Sequence, residues 1–329
     1  MKAMVKDLKI GDQVQSDFLL KDIEVGKTSR GSQYLRCTLL DKSGTLPGVM
    51  WDAEGRVPTP GIYSVTGICN DYKGRPQVKM EALGPRASLT DEDFMAVSQF
   101  PVDQMWDTVC NAIIRMSNIH IRTVATHIMH EQGYEEGFKS SPAATSMHHA
   151  FVGGLLEHTS QMVETAEALF GLPFYRNSLN KDLCMFGIIF HDFCKMMEYQ
   201  QTAGFKKTIQ GILVPHIPLM GALIFETCNK FEVPEVVRDH MMHVVLAHHG
   251  CQEYGSPVEM AIPEAAFVHH IDNLHGDVFG WIQKIATNDQ VDSVRHMQRT
   301  LVTQRFDAIL KACDEATSTQ PQSSPPSLP

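Results

Sequence analysis

The sixteen histidines of the chain all fall between His120 and His296, and several stand beside carboxylates or beside each other. They include His158 in Gly153-Gly154-Leu155-Leu156-Glu157-His158-Thr159, the pair His191-Asp192 after the apolar run Phe186-Gly187-Ile188-Ile189-Phe190, and His216 in Val214-Pro215-His216-Ile217. The pair His248-His249 precedes Gly250, and Asp272 stands in His270-Ile271-Asp272-Asn273. An adjacent imidazole and carboxylate at the end of an apolar helix offers two donors from one rigid turn, which is what a metal ion needs. The series of five imidazoles and two carboxylates holds more donors than a single ion uses. The chemistry such a set could perform is metal-assisted hydrolysis, with two divalent ions expected. Imidazole-rich ligation favours Mn²⁺, with Co, Fe or Mg as alternatives, over an all-oxygen cation such as Ca²⁺.

Helices must position these donors, because from residue 102 onward apolar residues recur three and four apart, with Gly or Pro at most boundaries. The spacing predicts helices over Val102–Ser117, Ile121–Gln132, Thr145–Phe170, Asn180–Met197, Leu219–Phe231, Pro234–His249, Pro263–Thr287 and Val291–Ala312. Before that region the period is two. Short β-rich runs, Gln13–Val25, Tyr34–Leu40, Thr45–Trp51, Gly61–Cys69 and Arg75–Leu83, are separated by turn chemistry. Five strands in so short a stretch fit a small closed barrel of the OB-fold kind. The expected organisation is a multidomain α and β chain: an OB-fold nucleic-acid-binding barrel over 1–86, a linker over 87–101, an all-α domain over 102–313, and a disordered Ser/Pro-rich tail over 314–329.

Charge divides along the same line. Residues 1–86 carry 13 basic and 10 acidic residues, whereas residues 87–329 carry 15 and 28. A basic barrel suits single-stranded nucleic acid: Tyr34, Trp51, Tyr63 and Tyr72 are candidate stacking platforms, and Lys27, Arg30, Arg36, Lys73 and Arg75 candidate phosphate contacts. The same aromatics could instead pack the barrel. The eight cysteines form no CxxC pair, so neither a disulfide framework nor a thiolate zinc site is suggested, and a reducing cytoplasm is the default expectation. No secretory signal is expected, because no apolar run follows the charges of Met1-Lys2-Ala3-Met4-Val5-Lys6-Asp7, and no membrane span, because the one long uncharged stretch, Thr208–Phe225, is broken by two prolines.

With those residues in view, the sequence resembles the HD-domain superfamily of metal-dependent phosphohydrolases, and more closely the YhaM-type 3′-5′ exoribonucleases, over roughly residues 10–290. The resemblance rests on His148-His149-Ala150-Phe151-Val152-Gly153-Gly154-Leu155-Leu156-Glu157-His158-Thr159, His191-Asp192-Phe193-Cys194-Lys195, Ala247-His248-His249-Gly250 and Ile271-Asp272-Asn273-Leu274. In the barrel it rests on Gly31-Ser32-Gln33-Tyr34-Leu35, Asp41-Lys42-Ser43-Gly44 and Trp51-Asp52-Ala53. It implies an N-terminal OB-fold joined to an HD domain. Metal ligation would fall to His158, His191, Asp192 and Asp272, with His216, His248 and His249 completing a second site and Lys195 on the scissile phosphate. The implied activity is 3′-5′ hydrolysis of single-stranded RNA or DNA, with no membrane partner and self-association left open. An HD nucleotide phosphohydrolase, a cyclic-dinucleotide phosphodiesterase and a non-catalytic adaptor are the alternatives. The sequence departs from the family pattern at Cys194, Pro215 and His275. Glu198, three residues after Lys195, suits an ion pair with that lysine as well as a substrate role. His148, His149, His243 and His269 are candidate substrate or supporting contacts, whereas His120, His127, His130, His240 and His296 read as surface or satisfied helix residues.

Overall fold

Apolar residues alternate along the first strands, and the sheet they form closes on itself. In a computed structural model, residues 3–29, 31–53, 57–86, 94–130, 134–144, 149–202, 204–286, 293–296 and 299–302 are described. Strands β1 (Gln13–Lys27), β2 (Gln33–Asp41), β3 (Gly44–Trp51), β4 (Gly61–Asp71) and β5 (Pro76–Arg86) close a barrel in the order β1-β2-β3-β5-β4. All pairings are antiparallel except β3 with β5, where Gly48 stands opposite Val78. Phe18, Leu20, Leu35, Leu39, Val65 and Val78 fill the interior. Between Phe18 and Leu20 the alternation fails, because Leu19 is buried too. Its neighbour across the ladder is Ile62, and both pack on Phe94 and Met95 of the connecting segment, with Val152 and Phe205 of the helical part against them. An outward-facing apolar pair is therefore where the barrel meets the helices.

The helical part comprises α1 (Val102–Ile114), α2 (Ile119–Met129), α3 (Tyr134–Ser140), α4 (Gly154–Phe170), α5 (Pro173–Ser178), α6 (Lys181–Phe190), α7 (Lys195–Glu198), α8 (Ile209–Leu213), α9 (His216–Lys230), α10 (Glu235–Leu246) and α11 (Pro263–Ala286). Side-chain caps set several starts: Asn118 accepts from the amides of His120 and Ile121, and Asn180 from that of Leu183. Helix α6 is apolar all round and buried over Asp182–Phe190, as expected of the central helix of a bundle. Its Phe186 and Phe190 continue into an aromatic row with Phe193 and Phe138.

Several expectations are corrected. The helix predicted over Asn180–Met197 breaks after Phe190 and resumes at Lys195, and the predicted start at Leu219 moves back to His216. The helix predicted from Thr145 begins at Gly154 among the described residues, because Gly153 adopts φ 81° and turns the chain. An unpredicted hairpin, β6 (Tyr199–Thr202) with β7 (Gly204–Lys207), interrupts the helices. Part of the predicted helix Val291–Ala312 is instead a second hairpin, β8 (Ser293–His296) with β9 (Arg299–Val302). The remainder of that helix, the proposed tail and the first part of the linker, 87–93, lie outside the described residues. The chain divides into two compact units, 1–276 and 277–329. Among the described residues no helix is long and apolar enough to cross a membrane.

Candidate metal centre

The buried helix α6 ends at Phe190, and the chain then turns so that the Lys195 amide donates to the Asp192 carbonyl at 2.8 Å. His191 and Asp192 occupy that turn, held in the interior by the helix before them. From α4, His158 Nε2 reaches within 3.4 Å of His191 Nε2 and 3.1 Å of Asp272 Oδ1 on α11. His191 Nε2 lies 3.3 Å from Asp192 Oδ2 and 3.7 Å from Asp272 Oδ1. Asp192 Oδ1 lies 3.3 Å from His216 Nε2 at the start of α9 and 3.7 Å from His248 Nε2 just after α10. With His249 these last residues form a second group whose donor atoms all lie within 4.8 Å of one another, and Asp192 belongs to both groups. This is the composition and spacing of a divalent-metal site.

The protein's own hydrogen bonds leave these atoms to a cation. Asp192 Oδ1, His216 Nε2 and His248 Nε2 are buried without a hydrogen-bond partner, a state that costs about 1–3 kcal/mol for each group unless something satisfies it. The opposite ring nitrogens are engaged. His191 Nδ1 meets the Ile188 carbonyl at 2.9 Å, His248 Nδ1 the Val245 carbonyl at 2.7 Å, His249 Nδ1 the Tyr254 carbonyl at 2.7 Å, and His216 Nδ1 the Glu198 carboxylate at 2.5 Å. Acceptors at Nδ1 place the proton there and leave the Nε2 lone pair for a metal.

Burial pushes the Asp192 carboxyl up, but Lys195 and His191 outweigh it and hold the group well below the usual carboxylate range. Burial equally disfavours the Lys195 ammonium, and Asp192, whose Oδ2 lies 2.6 Å from Nζ, reverses that. Burial drives His248 well below its ordinary value, with His191 and His249 adding to the effect, so it is neutral as a ligand must be. Glu198 is raised by burial, yet hydrogen bonds from His216 and Lys207 bring it to about 2. Its carboxylate accepts from the amide and Nδ1 of His216 and pairs with Lys207 Nζ at 2.5 Å. The partner of Glu198 is therefore not Lys195. The sequence did not show this supporting role, because Lys207 lies on a hairpin that periodicity missed.

Comparison with known proteins bears on the same residues. A model of the HD domain matches residues 155–277, which contain every candidate ligand. The 3′-5′ exoribonuclease YhaM of Bacillus pumilus is 34% identical over 272 residues, covering 80% of this chain and 85% of that protein. The protein of the same name from Bacillus subtilis is 31% identical over 273 residues, with 81% and 85% covered. The chain belongs to the YhaM family. Among solved structures, the second OB-fold domain of replication protein A from Methanococcus maripaludis matches with a TM-score of 0.23 at 15% identity, over 27% of this chain and 98% of that one. The barrel described above stands on its own strand order.

The departures from the YhaM family pattern have plain places. Cys194 is buried with Sγ 3.5 Å from Met220 Sδ, and burial pushes its thiol up to about 12. Pro215 adopts an extended conformation immediately before α9 and so presents the His216 amide to Glu198. His275, lowered to about 4 by burial and by His158, is neutral and meets Thr165 Oγ1 at 2.8 Å. His149 is buried with its ring centroid 5.3 Å from that of His158 and Nε2 3.8 Å from Glu157. His269 Nδ1 lies 2.6 Å from the His248 carbonyl, bracing that candidate ligand from behind. His243 Nε2 accepts from the Ala261 amide at 2.9 Å and so ties α10 to the segment before α11. His148 lies outside the described residues, as does Arg30 in the barrel.

On the barrel, Tyr34 and Trp51 are cross-strand neighbours with ring centroids 5.4 Å apart, and the Arg36 guanidinium lies 5.2 Å from the Tyr34 ring. Tyr72 is exposed at the turn between β4 and β5, with Lys73 Nζ 5.4 Å from its ring and Arg75 exposed beside it. Lys27 is exposed at the end of β1. Tyr63 is corrected: it is buried in the barrel and its hydroxyl donates to the Thr59 carbonyl, so it is no stacking platform.

Proposed function

We propose that the chain is a metal-dependent 3′-5′ exoribonuclease that trims single-stranded RNA, and single-stranded DNA as a secondary substrate, in the cytoplasm. The observation that carries this reading is Asp192, whose two carboxylate oxygens lie in two adjoining groups of histidine donors. Family membership supplies the direction of attack, since the relatives are named 3′-5′ exoribonucleases. His158, His191, Asp192 and Asp272 would hold one ion; Asp192, His216, His248 and His249 would hold a second, with Mn²⁺ preferred. When bound, two such ions supply Lewis-acid activation of water and offset charge on the leaving oxygen.

The chain's own groups do the rest. Lys195, kept charged by Asp192, transfers a hydrogen bond to a non-bridging phosphate oxygen as the strand enters. Glu198 fixes the His216 ring, and the carbonyls of Ile188, Val245 and Tyr254 fix the rings of His191, His248 and His249. Tyr34, Trp51 and Arg36, with Tyr72, Lys73, Arg75 and Lys27, offer stacking faces and charge for the strand upstream. The test is digestion of RNA and DNA labelled at the 5′ end, with metal-stripped protein and then with added Mn²⁺. Stepwise shortening from the 3′ end that appears only with metal is expected; full activity in excess chelator overturns the reading.

A further inference from the structure

The short helix α8 leaves its apolar side chains in solvent. Ile209 is 79% exposed, Ile212 66%, Leu213 74% and the following Val214 43%. Positions 209, 212 and 213 share one face of a helix. The other face is fixed, because Gly211 approaches α7 so closely that a Cβ there would overlap the Glu198 carbonyl oxygen. Thr208 ties down the start of α8: its amide donates to the Glu198 carbonyl, its hydroxyl donates to the Met197 carbonyl at 3.0 Å, and the same oxygen accepts from the Gly211 amide. An apolar ledge held this rigidly in water is a surface that something covers.

Two observations bear on what covers it. The ledge adjoins the metal centre along the chain, since Val214 is two residues before His216, and the opposite face of the helix packs on Glu198, the residue that orients that histidine. Strand β7 also brings Lys206, exposed, to within three residues of Ile209. Apolar surface with a cation beside it, next to phosphodiester chemistry, complements a nucleotide, which offers a flat apolar base and an anionic phosphate. We propose that α8 seats the nucleobases at the 3′ end of the substrate strand, with Lys206 on a flanking phosphate. This rests on the exoribonuclease reading and deepens it. Aliphatic contact with base faces reads no sequence, as suits an enzyme that must remove whichever nucleotide arrives.

The test compares an ordinary RNA with one whose 3′-terminal nucleotides are abasic, using full-length protein with Mn²⁺ and the double variant Ile212→Ser/Leu213→Ser, whose fold is checked by circular dichroism. Wild type should favour the base-bearing end by about tenfold in kcat/KM, the scale of removing roughly 55 Å² of apolar surface from water, and the variant should bring the ratio near one. A wild-type ratio near one, with both substrates cleaved, overturns the ledge alone. Cleavage of neither substrate by wild type overturns the exoribonuclease reading and the ledge with it. A ratio unchanged by the variant, together with loss of a dimer seen for wild type by light scattering, assigns the patch to self-association and also overturns the proposal.

Discussion

Asp192 serves both donor groups, so its removal is felt by every proposed ligand at once. Asp192→Ala or His191→Ala should abolish hydrolysis while leaving single-stranded RNA binding largely intact, because most of the capture is assigned to the barrel; hydrolysis assays paired with filter binding check this. Glu198 acts through His216. Glu198→Gln removes the charge that polarises the ring, and an outer partner of this kind is worth about 10–100-fold in metal affinity. Titration calorimetry with Mn²⁺ should show one weakened site in that variant, and unchanged binding would deny Glu198 its role. Lys195 differs from both in that its charge is kept by Asp192 and is expected on phosphate, so Lys195→Ala should lower kcat with metal content retained.

Elements place these residues, and one close approach controls the entry to α4. A Cβ on Gly154 would overlap the His149 carbonyl oxygen, with no flexible side chain to move aside. Gly154→Ala should therefore destabilise the fold by about 1–3 kcal/mol, measurable as an earlier urea midpoint, and should disturb His158 four residues on. The sequence made the main elements legible because their periods are strong: the five strands lie within a few residues of their predicted ends, and the buried run Phe186–Phe190 announced the helix that delivers His191 and Asp192. The donor set was legible too, since imidazoles beside carboxylates have few other uses in such number. What stayed hidden was short or non-local. The hairpin β6–β7 has four residues per strand and no alternating run, α8 is only five residues long, and Tyr63 looked like a surface aromatic because nothing local reports that its hydroxyl finds Thr59. The Val291–Ala312 pattern has helical spacing, but part of it pairs as β8 with β9, where cross-strand partners outweigh local preference.

At the scale of the whole molecule the barrel is joined to the helices through Leu19, Ile62, Phe94, Met95, Val152 and Phe205, so its role is better tested by surface changes than by deletion, which would strip that junction. Tyr72→Ala with Lys73→Ala and Arg75→Ala should weaken binding of long RNA far more than cleavage of a dinucleotide, and the fall of log K with log salt should flatten by about 0.7 for each phosphate that the variant no longer neutralises. An equal loss on long and short substrates would remove the barrel from substrate capture. The net acidity of residues 87–329 makes the metal centre the main source of positive field for a polyanion near the site. The most direct measurement of the central claim is therefore the number of ions held per chain, counted by native mass spectrometry after Mn²⁺ is added to metal-stripped protein. Two ions in wild type, one in His216→Ala and none retained in Asp192→Ala is the predicted result; a single ion in wild type at saturation, or two in Asp192→Ala, would contradict it.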